Sequence, residues 1–413
     1  MPLANATKTP EGSTVLTAYR PIVALNIAVM LVVTGQGLLN TIVPLSAKIR
    51  GYSEFEIGLL SSAYFVGMLI GAMFNPRAVR HAGHVRAFTA SIALATITAL
   101  AYLLAPDAAY WIALRAIGGF AIAGLYATVE GWLQGKSDNS TRGTAFALYS
   151  VVQYVAWGIG NMLLHVAEPT SVVLFIATAM FFSSGILPLT VTEQDPPERP
   201  ASPKLPFLKL LREMPVGVVG VFLIGFANGP MFSLAPVFGN EIGLTSGEVG
   251  NFMICMTIGS ALVQLPIGRV SDAIDRRLLV TALASASVAV EIALWLTGAR
   301  LAHGALYALA ALLGAVVSTQ YYVLVTHIND GIPAARSSGV SAVMLFSYCL
   351  GAIVGPSTAA AFMAGHGPSA LYLHNALPHA LIAIMVLANL VLCRSRVEAP
   401  DEAEMAAEAT ADR

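Results

Sequence analysis

The sequence predicts an all-α integral membrane protein, with twelve transmembrane helices arranged as two pseudo-symmetric six-helix bundles. Composition is the first reason: 56% of residues are hydrophobic, 11% are charged and the mean hydropathy is +0.73, outside the range of water-soluble domains. Span length is the second. Continuous apolar runs of about 20 residues match a hydrocarbon core of roughly 30 Å crossed by a helix, whereas barrel strands would be short and alternating. The third is an internal repeat: GYSEFEIG at 51–58 returns about 192 residues later as GLTSGEVG at 243–250. Its register extends outward, pairing Gln36 with Asn228, Gly37 with Gly229, Pro44 with Pro236 and Gly67 with Gly259. A duplicated six-helix unit in an apolar chain is the pattern of transporters whose halves rock about a central site.

The first segment, 1–20, is polar and lacks the layout of a cleavable signal peptide, so span one is expected to serve as its own signal. Apolar runs at 21–43, 56–75, 85–105, 108–134, 143–166 and 170–190 make an N-terminal bundle over 21–191. The segment 192–215, rich in proline and mixed charge, reads as a linker with a short surface helix at 205–213. Runs at 216–238, 247–268, 277–298, 303–328, 338–364 and 370–393 make a C-terminal bundle over 216–393. The Glu- and Ala-rich segment 394–413 reads as a solvated tail. Glu56 and Glu248 hold repeat-equivalent places at the starts of spans two and eight, where an acid favours a helix N-terminus.

Lysine and arginine gather at one end of this arrangement, and the other keeps only Lys48, Arg50 and Arg300. The positive-inside rule then predicts a multi-pass membrane protein with both termini cytoplasmic. The net charge of −1 argues against nucleic acid as a partner, leaving the lipid bilayer and a small-molecule substrate. Cys255, Cys349 and Cys393 fall within apolar spans as buried small hydrophobes, with neither disulfide nor metal spacing. No HxxxH or HExxH pattern, phosphate-cradling glycine loop or nucleophile–base pair occurs, so neither enzyme chemistry nor a cofactor is expected. One chain carries both halves, which predicts a monomer.

GRVSDAIDRR, following span eight, is similar to the loop signature of the major facilitator superfamily, matching at Gly268, Asp272, Arg276 and Arg277. The resemblance implies a latch at the cytoplasmic gate. Asp275 stands where the pattern has a second Gly, and Ala273 where it often has Arg. The first-half counterpart, NPRAVRHAGHVR at 75–86, keeps Gly83 but lacks the Asp. Span four carries Arg115 with Gly118, Gly119 and Gly124, similar to the family's RxxxG pattern, and span eleven carries Gly351, Gly355 and Pro356, similar to its gxxxGP motif. Together with VEGWL in span four, the loop looks most like the bacterial YcaD-like branch, which includes proteins regarded as importers of vitamins such as riboflavin. The resemblance implies the major facilitator fold and secondary or facilitative transport by alternating access.

Ionisable groups within spans are costly and mark candidate function. Arg115 shares a helical stripe with Gly119, Ile122, Tyr126 and Glu130; it either anchors an acceptor-rich substrate or ties helices through backbone carbonyls. Glu130, Glu291 and His327 are the candidates for proton coupling. Each has a structural alternative: a salt bridge of Glu130 with Lys136 or Arg142, a paired or snorkelling Glu291 on a peripheral helix, and a solvated His327. His374 and His379 read as interfacial and solvated.

Family architecture assigns the cavity lining to spans 1, 2, 4, 5, 7, 8, 10 and 11. Midway along these lie Gln36, Asn40, Tyr126, Tyr149, Gln153, Tyr154, Trp157, Asn228, Gln264, Gln320, Tyr321, Tyr322, Phe346 and Tyr348, joined by Arg115. Amides recognise neutral hydrogen-bonding edges and aromatic faces stack on planar rings, so the set favours a largely neutral organic solute, with riboflavin import as the leading reading. The same residues also serve as helix glue in membranes. An exporter of the same fold, or a membrane sensor that carries nothing, are the alternatives. Gly37 and Gly229 suggest hinges that open the outer gate.

Overall fold

Span one, Glu11–Ile49, stops where the repeat begins, because Gly51 turns the chain with φ of +84° and its repeat partner Gly243 does the same with φ of +92°. A side chain is strained in that region, which explains why both copies keep glycine. Two residues later Ser53 and Thr245 each open the next helix with a capping box, completed by Glu56 and Glu248. The two acids are therefore caps, as their positions predict.

The computed structural model describes the backbone of residues 11–136, 142–190, 207–330, 332 and 334–411, and the side chains of 23–133, 148–190, 207–330, 332 and 339–390. In the first half, span two is Glu54–Ala82, three His84–Ala101, four Ala108–Lys136 and five Arg142–Met162; span six is Val172–Ser184 with Leu187–Thr190. A short helix, Phe207–Glu213, falls where the linker helix is expected. Then come span seven, Pro215–Glu241; eight, Ser246–Ala273; nine, Arg276–Thr297; eleven, Ala334–His366; and twelve, Ala370–Ala411. Span ten is broken into His303–Ser318 and Gln320–Asp330. Among the described residues eleven helices are long and apolar enough to cross a membrane and no strand occurs. The side chains of span five are described only from residue 148 onward. The segments 1–10 and 191–206, and the side chains of Lys136, Arg142 and Cys393, lie outside the described residues.

Within each half the helices approach to backbone contact at repeat-equivalent places. A Cβ on Gly67 would stand 1.8 Å from the Ala116 carbonyl oxygen, and one on Gly259 would stand 1.8 Å from that of Ala311. Spans two and four, and their copies eight and ten, thus close on one another only because those positions are glycine. Gly37 and Gly229 are also contact points, against Trp157 of span five and Ala352 of span eleven. Between halves, span two packs on eleven, five on eight and one on seven.

Apolar packing divides unevenly. One cluster runs through the N-terminal bundle and into the part of the C-terminal bundle nearest the loop between spans one and two. A second cluster holds Leu210 of the linker helix with Val218, Leu283, Val323, Ile382 and Val386, all toward the linker end.

Candidate functional site

A cavity of about 190 Å³ lies between the halves. Span five supplies Ser150, Gln153, Tyr154 and Trp157, span seven Phe232, span eight Thr257 and Ser260, and span ten Tyr322. Gln264 donates from its Nε2 to Tyr154 Oη at 2.5 Å, bridging the halves at this level. Trp157 meets Phe232 edge to face at 6.3 Å, again across the halves. No lining residue carries a formal charge. The arrangement can hydrogen-bond a neutral polar edge and pack a ring against aromatic edges.

The halves close on one another at the loop end. There Lys48 pairs with Glu54 of its own half and with Glu241 of the other. Ser246 Oγ donates to Glu168 Oε2 across the same boundary at 2.7 Å. Gly58 of span two sits directly against Pro356 and Ala360 of span eleven, and Gly250 of span eight against Asn161 of span five. Toward the linker end, by contrast, Glu130 is exposed and Tyr322 is 57% exposed. The halves are therefore closed on one another at the loop end, and on the linker side the lining residue Tyr322 is exposed.

Of the residues singled out in the sequence, Gln153, Tyr154, Trp157, Gln264 and Tyr322 meet at this cavity. Arg115 does not. It is 4% exposed inside the N-terminal bundle, where its Nη1 donates to Asn40 Oδ1 at 3.0 Å and its guanidinium lies 4.7 Å from the Tyr64 ring centroid. Gln36 donates to Tyr64 Oη and accepts from Tyr126 Oη, both at 2.9 Å, so one polar network knits spans one, two and four. Beside it is a void of about 10 Å³, room for roughly one water. Arg115 therefore ties helices, and does so through side chains rather than backbone carbonyls. Tyr149 is buried, and both it and Tyr126 face Glu130 electrostatically.

In the C-terminal bundle Asn228 faces Tyr348, which meets Tyr321 edge to face at 5.3 Å. Two expectations are overturned here. Gln320 is fully buried and points away from the cavity, donating from Nε2 to Ser287 Oγ of span nine at 2.8 Å. Phe346 meets Phe207 of the linker helix at 5.2 Å instead of lining the midplane cavity. His374 and His379 are also buried, at 7% and 0% exposure, rather than solvated. His379 Nδ1 is 2.9 Å from Glu291 Oε2, so Glu291 is paired and does not snorkel.

Glu130 takes part in no hydrogen bond or ion pair among the described residues, and the side chains of its expected partners Lys136 and Arg142 lie outside them. His327 is at the linker end, half-buried beside Arg277, Asp275 and Asp330. In the same cluster Arg276 binds Asp272 Oδ1 at 2.9 Å, pairs with Asp330 and donates to Ser271 Oγ at 3.0 Å. Asp275 accepts from the Arg277 backbone N–H at 2.9 Å, making it the N-cap of span nine, and its bonds to Arg277 hold its carboxyl below the usual aspartate range. These bonds join spans eight, nine and ten of one bundle; Gly268 adds no close contact. Gly351 and Gly355 serve packing, since a Cβ on either would come within about 2 Å of a span-seven carbonyl, at 2.0 Å and 2.1 Å.

Sequence reading missed Ser150, Phe232, Thr257 and Ser260 in the lining and Tyr64 in the Arg115 network. The signal for two of them is present: Thr257, Ser260 and Gln264 recur at helical spacing and so share a face. Also missed is the one-residue irregularity of span ten at Thr319, which keeps near-helical backbone angles and follows Ser318, a residue that faces Tyr154.

The profile of the Major Facilitator Superfamily matches residues 25–254 and again 217–411, once per half. The chain belongs to the major facilitator superfamily. The MFS-type transporter YcaD of Escherichia fergusonii, itself uncharacterized, is 27% identical over 376 residues, covering 90% of this chain and 96% of the relative. YcaD of Shigella flexneri is likewise 27% identical, covering 90% and 97%. Among solved structures, the nucleoside transporter NupG superposes with a TM-score of 0.75 at 13% identity, covering 89% of this chain and 98% of its own. The D-xylose-proton symporter superposes with a TM-score of 0.70 at 13% identity, covering 89% and 97%. The fold is that of a superfamily transporter, and the YcaD-like branch is the one the sequence resembles.

Proposed function

We propose that the chain carries a small, largely neutral, ring-bearing organic solute across the bacterial inner membrane by alternating access, as a monomer with both termini cytoplasmic. The observation that carries this reading is the cavity itself, built from both halves, uncharged, and lined by amide, hydroxyl and aromatic groups. Its volume of about 190 Å³ is below the roughly 300–1,000 Å³ of typical ligand pockets, which favours a single-ring solute in this state. The tricyclic vitamin riboflavin needs the site to widen. Two superposing transporters are named for a nucleoside and for D-xylose, both neutral and ring-bearing, and the pentose has the single ring that the volume favours. Import is the favoured direction, with export by the same fold as the alternative.

The test is counterflow and gradient-driven uptake of labelled nucleosides, pentoses and riboflavin into proteoliposomes, comparing the native chain with Trp157→Ala and Gln153→Ala. Saturable flux that both substitutions reduce at least tenfold supports the proposal. A reconstituted, folded protein that moves none of the panel in either direction removes it.

A further inference from the structure

The apolar interior of the C-terminal bundle is interrupted by a polar layer at mid-height. Along span seven, Ile224 belongs to the linker-end cluster and Met231 to the loop-end cluster, with Asn228 between them. Along span nine the change falls between Ala284 and Val290, around Ser287, and the buried Glu291 directly follows Val290. Span ten changes between Val317 and Val323, around Thr319 and Gln320, and span twelve between Tyr372 and Ile382, around Asn375 and His379. Four helices thus contribute polar residues to one level, and the N-terminal bundle has no matching division because a single cluster runs through it.

At the centre of the layer are Glu291 and His379, both 0% exposed, with Oε2 and Nδ1 at 2.9 Å. The remaining hydrogen-bonding atoms of both, Glu291 Oε1 and His379 Nε2, are buried without a partner among the described residues, as are Gln320 Oε1, Thr319 Oγ1 and Asn375 Nδ2. A buried ionisable pair is weaker than a well-packed apolar one, and each unsatisfied polar atom adds a further cost. Nothing in the apolar packing calls for the pair. An ionisable group at this depth is therefore evidence of use.

We propose that the Glu291–His379 pair is a proton-binding site, separate from the solute cavity, in which uptake of one proton converts a carboxylate–imidazole pair into a carboxylate–imidazolium or carboxylic acid–imidazole pair. The surroundings isolate it. Among the described residues His379 is the ionic partner acting on Glu291. From span twelve Tyr372 also faces Glu291, with a buried hydroxyl that has no partner among the described residues. From span ten the Gln320 amide donates to Ser287 Oγ, and Ser287 stands one helical turn from Glu291. His374 is engaged elsewhere, by Thr358 Oγ1 at 3.0 Å and Asn375 Oδ1 at 3.1 Å.

The layer has a physical route to the cavity. Gln320 directly follows the irregularity of span ten at Thr319 and precedes Tyr321 and Tyr322, the latter a lining residue. A change in charge at Glu291 alters the field at Ser287 and Gln320, and so the segment that sets Tyr322. On this point the inference rests on the transport reading, and it identifies where a coupling proton would reside.

The test reads proton binding directly and needs no solute. Infrared difference spectra of the purified chain in lipid nanodiscs are recorded across about pH 5 to 9, the range in which histidine sites titrate. The expected result is a protonation-dependent carboxyl band that is lost in Glu291→Gln, shifted in His379→Gln and kept in Glu130→Gln. Histidine labelled with nitrogen-15 should show an imidazole resonance that is absent in His379→Gln and titrates together with the carboxyl band. Native protein with neither signal across that range overturns the proposal whether or not the variants fold. So does a band that persists unchanged in folded Glu291→Gln. Loss of solute flux with the band intact would count against the transport reading alone.

Discussion

Replacing Lys48 by Gln should release the loop end of the protein. Lys48 is the one cation between two carboxylates, and its bond to Glu241 is the ion pair that crosses the halves there among the described residues. Its side chain is 25% exposed and those of Glu54 and Glu241 are 14% and 18%, so the pairs are neither fully screened nor fully desolvated. An exposed pair contributes up to about 1 kcal/mol, and a hydrogen bond to a charged group about 1.5–3 kcal/mol. The crossing contact is accordingly worth about 1–2 kcal/mol, a roughly 5- to 30-fold shift in the closed-to-open ratio. Removing the cation also leaves two carboxylates facing each other, which adds to the shift. The assay is pulsed electron paramagnetic resonance between spin labels at Ile49→Cys and Gly304→Cys, exposed sites on opposite halves at this end. Lys48→Gln should gain a longer-distance population, and Lys48→Gln with Glu241→Gln should gain less of it. Identical distance distributions in native and Lys48→Gln protein would refute the reasoning.

Other expectations follow from the same contacts. Gly259→Leu forces spans eight and ten apart and should cost about 1–3 kcal/mol or more, whereas Gly268→Ala, with nothing within 4 Å of its Cβ, should leave the thermal midpoint unchanged. Arg115→Met should lose the bond to Asn40 and the contact with Tyr64, together about 2–4 kcal/mol, seen as a lower unfolding midpoint without a change in solute affinity among molecules that remain folded. The folded-state pKa of Asp275 is depressed by Arg277, so its contribution is present above the ordinary aspartate pKa and is lost as pH falls through that value toward the lower folded one. The midpoint difference between native protein and Asp275→Asn should therefore shrink from about pH 7 to about pH 3.

Much of the architecture was legible because the repeat and the lipid constraint act on sequence directly. Gly51 with Gly243, Gly67 with Gly259, and Glu56 with Glu248 recur in register because each half solves the same turn, close approach and cap. Side-chain direction was less legible. Phe346 and Gln320 lie on helices assigned to the lining, yet one meets the linker helix and the other meets span nine. In a membrane protein an apolar face can meet either lipid or another helix, so hydrophobic periodicity does not say which way a polar residue points.

The sequence by itself determined the membrane solvent, the order of the spans, the duplicated halves and the family, because backbone hydrogen bonding in lipid permits few alternatives. Only the tertiary structure decided which polar residues share a space. It joined Gln264 to Tyr154 across 110 positions and Glu291 to His379 across 88, and it drew Arg115 away from the cavity to Asn40. Those partners lie on helices distant in sequence, and what selects them is how closely small residues let the helices approach, a property of the assembled bundles and not of any one span.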